Sequence, residues 1–155
     1  MANYIGPTWN LDGAVQQVTS GAGPSADSTI STANTWSNIG LAHSITPLST
    51  DSKVLVTATI PFRLLHTSAN QIMRGGWRLL RGSTTVFNTS HYDEIIQIRE
   101  AGTEWNDQFT ISYLDSPSTT SSTTYTMQGL LKSGTGLRIY NYTRGTYIIL
   151  QEIGG

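Results

Sequence analysis

The sequence contains no cysteine and few charged side chains. The absence of cysteine excludes disulfide scaffolds, thiolate metal sites and cysteine nucleophiles. Charged residues make up only 12% of the chain, about half their usual share in globular proteins. Nine basic residues nearly balance ten acidic ones, and the formal charge is −1. Because phosphate backbones are bound by clustered Lys and Arg, which the sequence lacks, we expect no nucleic-acid partner.

Long apolar runs and an export signal are also missing. The longest fully apolar runs span only a few residues, as at 147–150, so we expect no insertion into a membrane. Residues 1–10 have neither the basic start nor the apolar centre of a secretory signal. A length of 155 residues is typical of one domain.

Recognisable catalytic and metal-binding patterns are absent as well. His43, His66 and His91 lie far apart, and none has the spacing of a zinc ligand set. The acidic groups at 93–94 and at 100, 104 and 107 lack a calcium-loop pattern, and the second set flanks a predicted loop. No nucleophile elbow or phosphate-binding loop occurs. We therefore predict no enzymatic activity, no cofactor and no metal site, and we interpret His43 as a core or interface histidine.

What the chain does contain is serine, threonine and alternating strands. Its 17 serines and 23 threonines make up about a quarter of the residues, and β-branched side chains suit a pleated surface. From residue 28 onward, apolar residues recur at every second position between turn residues, which is the period of a strand and not of a helix. The pattern predicts an all-β protein, a jelly-roll β-sandwich. The predicted strands are 36–46, 53–60, 77–81, 84–87, 94–99, 108–114, 123–131, 137–143 and 146–153.

The first 27 residues show no sustained period and contain two Gly-Pro pairs. We interpret residues 1–27 as an N-terminal arm and residues 28–155 as the jelly-roll domain. Tyr4, Ile5 and Trp9 are the candidate anchors of this arm. The Ser/Thr-rich stretch 114–124 is either a flexible hairpin connection or a surface for a sugar or a neighbouring subunit.

The last two predicted strands, joined by a tight turn at Gly145, have apolar residues on both faces. A sandwich strand with one wet face should alternate, so we expect another copy of the chain to cover the second face. Tyr140, Tyr142 and Ile148 are the candidate contacts of that interface. Trp77 and Trp105 could either stack on a sugar ring or serve in ordinary packing.

Seven short segments of the sequence together carry a family resemblance. They are TWSNIGL (35–41), SITP (44–47), SKVLV (52–56), WRLLRG (77–82), LDSP (114–117), TYT (124–126) and IILQEIG (148–154). These segments resemble a domain found in structural proteins of tailed bacteriophages, which is frequent at the C-terminal ends of tail fibres and in virion surface proteins of phages that infect aquatic bacteria, including cyanobacteria. The resemblance covers about residues 28–154 and implies a trimeric jelly roll of the tumour-necrosis-factor type, with its N-terminus toward the particle.

The resemblance implies a virion structural protein, and two functions remain open. Only about 27 residues precede the domain, with no shaft repeat, which favours a trimeric decoration or cement protein. Such a protein would sit on the capsid exterior, holding the major capsid protein or other virion proteins through its arm. The alternative is a receptor-binding tip of a tail fibre that recognises a host surface glycan.

Overall fold

The structure is a computed structural model and describes residues 12–89, 96–99 and 102–155. No helix of this part of the chain is long and apolar enough to cross a membrane. Within the described residues, a single 3₁₀ turn, Tyr142–Arg144, accompanies eleven strands. The strands are β1 (Val15–Ala22), β2 (Ser28–Ile30), β3 (Trp36–Ile45), β4 (Lys53–Leu65), β5 (Ile72–Arg81), β6 (Thr84–Asn88), β7 (Ile96–Arg99), β8 (Glu104–Asp115), β9 (Thr123–Ser133), β10 (Gly136–Ile139) and β11 (Tyr147–Ile153).

The strands form two antiparallel sheets, and the predicted jelly-roll sandwich is confirmed. Sheet 1 runs β1-β11-β4-β8, with β10 and β2 continuing it beside the second half of β4. Sheet 2 runs β3-β9-β5, with β6 and β7 both beside β5. Consecutive strands repeatedly cross between the sheets, as from β3 to β4 and from β8 to β9, which is the connectivity of a jelly roll.

The core lies between the two sheets and follows the predicted alternation. On β4 the residues from Val54 to Leu64 at every second position are buried, while the residues between them face outward. The indole of Trp77 stacks on Phe109 at 5.7 Å between ring centroids and meets Phe62 edge-on at 5.4 Å. This aromatic cluster joins β4 and β8 of sheet 1 to β5 of sheet 2.

The end of the chain is not the predicted hairpin, because β10 and β11 do not pair with each other. Both pair with the same edge of β4, β10 with Phe62–Leu65 and β11 with Lys53–Thr59. Between them the chain leaves the sheet through the turn that ends at Gly145, whose φ is 97°. Pro61 faces this gap: its carbonyl accepts a hydrogen bond from the Tyr140 amide at 3.1 Å. A proline is tolerated in this central strand because no partner strand requires its missing N–H.

Two stretches that we expected to lie outside the sandwich belong to sheet 1. Residues 15–22, part of the expected arm, form β1, which pairs with β11 from Val15 to Ala22. Residues 104–107, expected in a loop, begin β8 and pair with the end of β4. Neither stretch has enough apolar residues to show the two-residue alternation of a strand. Each is held in the sheet by backbone pairing with a more apolar neighbouring strand.

The ends of the sandwich differ in what they carry. The start of β1 and the end of β11 meet at one end, where Gly13 and Gly154 share a backbone hydrogen bond of 2.8 Å. The loops 46–52, 82–83 and 116–122 lie at this same end, which we call the terminal end. The loops 66–71 and 134–135 lie at the opposite end, which we call the distal end.

A buried carboxylate fastens the terminal end. Glu152 is fully buried, and it accepts hydrogen bonds from the Gln17 side chain of β1 and from the Leu48 amide at 2.7 Å. Burial raises the pKa of Glu152, but the nearby Ser52 hydroxyl and the donors on Gln17 and Leu48 outweigh it and hold the pKa below 4.5. The Ser52 hydroxyl itself has no hydrogen-bond partner of good geometry among the described residues. Glu152 thus ties β11 to β1 and to the loop 46–52.

Replacing this carboxylate should destabilise the fold in a pH-dependent way. Because the folded pKa is lowered, the contribution of Glu152 is present above pH 4.5 and is lost as the pH falls through the folded value. We expect Glu152→Gln to lower the free energy of unfolding by about 2 kcal/mol at pH 7. The introduced NH₂ group would lie against the N–H donors of Gln17 and Leu48, so one of these hydrogen bonds would be lost. Urea denaturation at pH 7 and pH 3.5 measures this. A difference between the two proteins that stays constant over this range would contradict the assignment.

Candidate functional site: the outer face of sheet 1

Most of one half of the outer face of sheet 1 carries no charge, and among the described residues the exception is Lys53, opposite Ile153 at the terminal end. Twelve outward positions on β1, β11, β4 and β8 lie side by side in three rows across the strands. Half of them are apolar, and the other half are Ser, Thr or Gln. We call this surface the uncharged face. Its rows are Val18, Gln151, Leu55 and Leu114; Ser20, Ile149, Thr57 and Ser112; and Ala22, Tyr147, Thr59 and Thr110.

Apolar side chains on the uncharged face are open to solvent in the single chain. Val18 is 58% exposed, Leu114 50% and Tyr147 40%. The outer face of sheet 2 is different, because Arg78 lies near its middle. The Arg78 guanidinium donates to the Gln128 carbonyl at 2.6 Å and lies 4.7 Å from the Trp36 ring centroid. Sheet 2 therefore presents a hydrated polar surface, whereas sheet 1 presents a surface typical of a subunit contact.

The other half of the outer face of sheet 1, toward the distal end, carries arginine. Two guanidiniums lie against the ring of Tyr140, Arg144 at 4.9 Å and Arg63 at 5.9 Å from its centroid. Arg138 of β10 lies directly opposite Arg63 of β4, so both project from the same face. We call Arg63, Arg138, Arg144 and Tyr140 the arginine patch. It lies beside the gap between β10 and β11.

Hydrogen bonds hold the arginine patch in place. The Asn106 side-chain oxygen accepts from the Arg63 Nε and from the Tyr140 hydroxyl, each at 2.8 Å. Glu104 forms an ion pair of 2.7 Å with Arg63. Within the described part of the chain, neither Arg138 nor Arg144 has a carboxylate at salt-bridge distance. The patch therefore keeps an excess of positive charge.

A small polar pocket lies at the terminal end. It has a volume of about 330 Å³ and lies between the turn at Gly82 and the loop that follows β8. Arg81 borders it, and its Nη1 donates to both Asp115 carboxylate oxygens at 3.0 and 2.9 Å and to the Ser116 carbonyl at 2.9 Å. Because the charge of Arg81 is balanced by Asp115, the pocket is neutral. The lining residues are Arg81, Gly82, Pro117, Thr119, Ser122, Thr123 and Thr124.

The same carboxylate connects the pocket to the core. The Tyr125 hydroxyl, fully buried, donates to Asp115 at 2.7 Å. Burial, followed by the hydrogen bond to Asp115 and its negative charge, raises the pKa of Tyr125 far above the ordinary tyrosine value. The loop 116–122 also contains internal hydrogen bonds, including one of 3.1 Å that the Ser121 amide donates to the Thr119 hydroxyl. The stretch that we considered a flexible connection is therefore anchored at its base.

The structure separates the three residues predicted at the subunit interface. Ile148 is fully buried in the chain's own core, so its assignment to a contact with another copy is wrong. Tyr140 is 8% exposed and belongs to the arginine patch. Tyr142 is half-exposed in the 3₁₀ turn. The assignment failed because β10 and β11 are not a hairpin, and the outward positions of β11 are Tyr147, Ile149, Gln151 and Ile153 instead.

The tryptophan assignments also change. Trp77 is fully buried and cannot stack on a sugar. Trp105 is half-buried and packs against the core, with its ring nitrogen buried. The predicted arm anchors Tyr4, Ile5 and Trp9 lie outside the described residues. They remain predictions from the sequence.

The titratable residues take structural roles where they are described. His43 contacts the Thr19 hydroxyl between β3 and β1 and packs against Gly21, in keeping with its expected core or interface position. Glu104 pairs with Arg63, and Asp107 accepts from the Gln108 amide at 2.7 Å. No group of three or more metal-binding side chains occurs among residues 12–89, 96–99 and 102–155. His91 and the acidic residues at 93, 94 and 100 lie outside the described residues.

Both surfaces were missed by the sequence analysis for a physical reason. The uncharged face includes Val18 and Ser20, which lie in a stretch without apolar alternation. The arginine patch joins residues that are 75 positions apart in the chain, Arg63 and Arg138, through a pairing of β4 with β10. One signal was available: two of the seven arginines, Arg63 and Arg138, interrupt apolar positions on the strands β4 and β10 that contribute to the patch.

Comparison with known proteins adds little. No protein-family model and no curated protein matches the chain. Among solved structures, that of infectious bursal disease virus strain Gt aligns over 92% of this chain at 11% identity, with a TM-score of 0.35. That of strain Gx aligns over 93% at 13% identity, with a TM-score of 0.28. In both cases the chain spans 36% of the matched chain. These similarities are low, and no functional conclusion follows from them.

Removing the Tyr125 hydroxyl should weaken the base of the pocket. Because Arg81 still satisfies Asp115, we expect Tyr125→Phe to lower the free energy of unfolding by only about 1 kcal/mol at pH 7. Because the pKa of Tyr125 is raised in the folded chain, its protonated hydroxyl stabilises the fold fully below about pH 10, and this contribution is lost as the pH rises further. The difference in unfolding free energy between the native chain and Tyr125→Phe should therefore narrow above pH 10. Denaturation at pH 7 and pH 11 measures both effects. If the difference in unfolding free energy between the two proteins is the same at pH 7 and pH 11, the Tyr125 hydroxyl does not have this stabilising role.

Proposed function

We propose that the chain is a non-enzymatic structural protein of a virion, a trimeric decoration protein attached to the capsid exterior through the residues ahead of β1. The observation that carries the proposal is the uncharged face. The jelly-roll fold and the resemblance to phage virion surface proteins support the assignment to a virus particle and the expectation of a trimer. The uncharged face supplies the surface through which the copies would join.

The composition of the uncharged face fits a contact between copies. Interfaces are depleted in charge at their centre, and those between identical subunits are more apolar than ordinary surface. All twelve positions satisfy the first condition, and Val18, Leu55, Ile149 and Leu114 satisfy the second. Within the described residues, β8 pairs only with β4, so its second edge is open as well. A face and an edge in contact make a head-to-tail interface, which closes into a ring of three when the rotation between copies is one third of a turn.

The position of β1 supports attachment at the terminal end. Residues 1–11 lead into β1 beside Gly154, at the end of the sandwich that carries both termini of the domain. An arm that leaves from this end could add to a capsid sheet edge or insert Tyr4, Ile5 and Trp9 into apolar pockets. Three arms on one trimer would bind together more tightly than each alone.

The assembly can be tested with charge on the uncharged face. We expect light scattering after size-exclusion chromatography to give about three times the chain mass of 16.9 kDa for the native protein. Val18→Asp and Ser112→Asp each place unpaired carboxylates in the proposed contact, and each should release single chains, since burying an unpaired charge is costly. Neither side chain belongs to the core, so both variants should fold.

The matched control places the same charge elsewhere. Thr84→Asp changes an exposed position of β6 on sheet 2 and should leave the trimer intact. A native protein that stays monomeric at high concentration, or a Thr84→Asp variant that dissociates as readily as Val18→Asp, would refute the assignment of the interface.

The arm is tested by deletion within the residues ahead of β1. Removing residues 2–11 leaves β1 and its pairing with β11 intact, so the trimer should persist while binding to particles that lack the protein is lost. Co-sedimentation with such particles measures the binding, and the copy number per particle distinguishes shell decoration, in hundreds, from a tail component. Undiminished binding of the truncated protein would contradict attachment through the arm.

A further inference from the structure

The arginine patch contains a repulsion that the described residues relieve only in part. Like charges directly opposite each other on paired strands destabilise a sheet. Arg63 and Arg138 are such a pair, and Arg144 approaches the same ring as Arg63. Glu104 balances only one of the three charges. Local conflicts of this kind concentrate at functional sites, where a ligand or partner resolves them.

The patch is held ready for a ligand. Arg63 is fixed by Asn106 and Glu104, at 2.8 and 2.7 Å. Tyr140 is fixed by the same Asn106 and is nearly buried, so it forms a rigid base for both guanidiniums. Because the Asn106 oxygen accepts both hydrogen bonds, its NH₂ group remains available as a donor. The half-exposed ring of Tyr142 follows two residues later in the chain.

We propose that the arginine patch binds an acidic saccharide, a sugar carrying carboxylate or sulfate groups. Guanidinium groups form paired hydrogen bonds with planar or tetrahedral oxyanions. The amide of Asn106 would add a hydrogen-bond donor for a sugar hydroxyl beside these guanidiniums. The anion would neutralise Arg138 and Arg144, which lack a carboxylate partner among the described residues.

Charge distribution favours a saccharide over nucleic acid. A duplex contact typically neutralises about six to ten phosphates, whereas the patch supplies three arginines and one opposing carboxylate. The net charge of the whole chain is −1, so a long polyanion would meet no net positive charge outside the patch. A short or locally acidic ligand fits this arrangement.

This site is independent of the proposed assembly, because all its residues come from one chain. It lies on the half of sheet 1 beside β10, while the uncharged face lies on the half beside β11. If the terminal end faces a particle, the patch lies toward the distal, outward end.

The test is calorimetric titration of the native protein with a hexasaccharide of glucuronate and with a neutral glucose hexasaccharide. We expect the acidic probe to bind at least ten times more tightly. Arg138→Gln and Arg144→Gln should each weaken its binding by about tenfold, which corresponds to about 1.4 kcal/mol. Arg78→Gln is the matched control, since Arg78 also lies over an aromatic ring but has no second arginine beside it. Its affinity should be unchanged.

Four results of the titrations with the native protein and its arginine variants would overturn the proposal. They are equal binding of the two hexasaccharides, no binding of the acidic one at millimolar concentration, an equal loss in Arg78→Gln, and equally tight binding of hexaglutamate. Binding seen only with the dissociated Val18→Asp variant would assign the patch to a contact between copies and would also overturn it. Light scattering on each titrated sample records the assembly separately, so a failure of the trimer cannot be mistaken for a failure of the site.

Discussion

The pairing of β4 with two different strands along one edge determines the rest of the structure. Over its thirteen residues, β4 pairs with β8 on one side without interruption. On the other side it pairs first with β11 and then with β10. The interruption lies at Pro61, the residue that has no N–H to offer. The inward residues of β4 remain buried along its whole length, so the core is continuous while the outer surface is divided in two.

That division explains why the two outer halves of sheet 1 differ in chemistry. Beside β11 the outward residues are uncharged except for Lys53 at the terminal end, and a largely uncharged surface is stable in water only when something covers it or when it is small. Beside β10 the outward residues include two opposed arginines, and their guanidiniums can stay hydrated. The excursion from Tyr140 to Thr146 forms the boundary, closed by a hydrogen bond of 2.6 Å from the Thr146 hydroxyl to the Tyr140 carbonyl.

The fold could be predicted from the sequence where one face of a strand is apolar. Strands such as β4 and β9 alternate clearly, and the jelly-roll class followed from them. The strand β1 could not be found, because its inward residues Gln17 and Thr19 are polar and bind Glu152 and His43 instead of packing. The final hairpin was wrong for a related reason. Alternation shows that two segments are strands, but it does not show which strand each one pairs with.

The candidate sites depend on that missing information. Whether an apolar residue on a strand is core or interface is decided by the direction in which its side chain points, and this is set by pairing. Ile148 and Ile149 are adjacent and chemically identical, yet the first is buried and the second lies on the uncharged face. Likewise, Arg63 and Arg138 become neighbours only because β10 pairs with the far half of β4. A one-residue slip of β10 against β4 would turn Arg138 into the core and Leu137 and Ile139 outward, so the register that buries those two residues also places Arg138 beside Arg63 on the outer face.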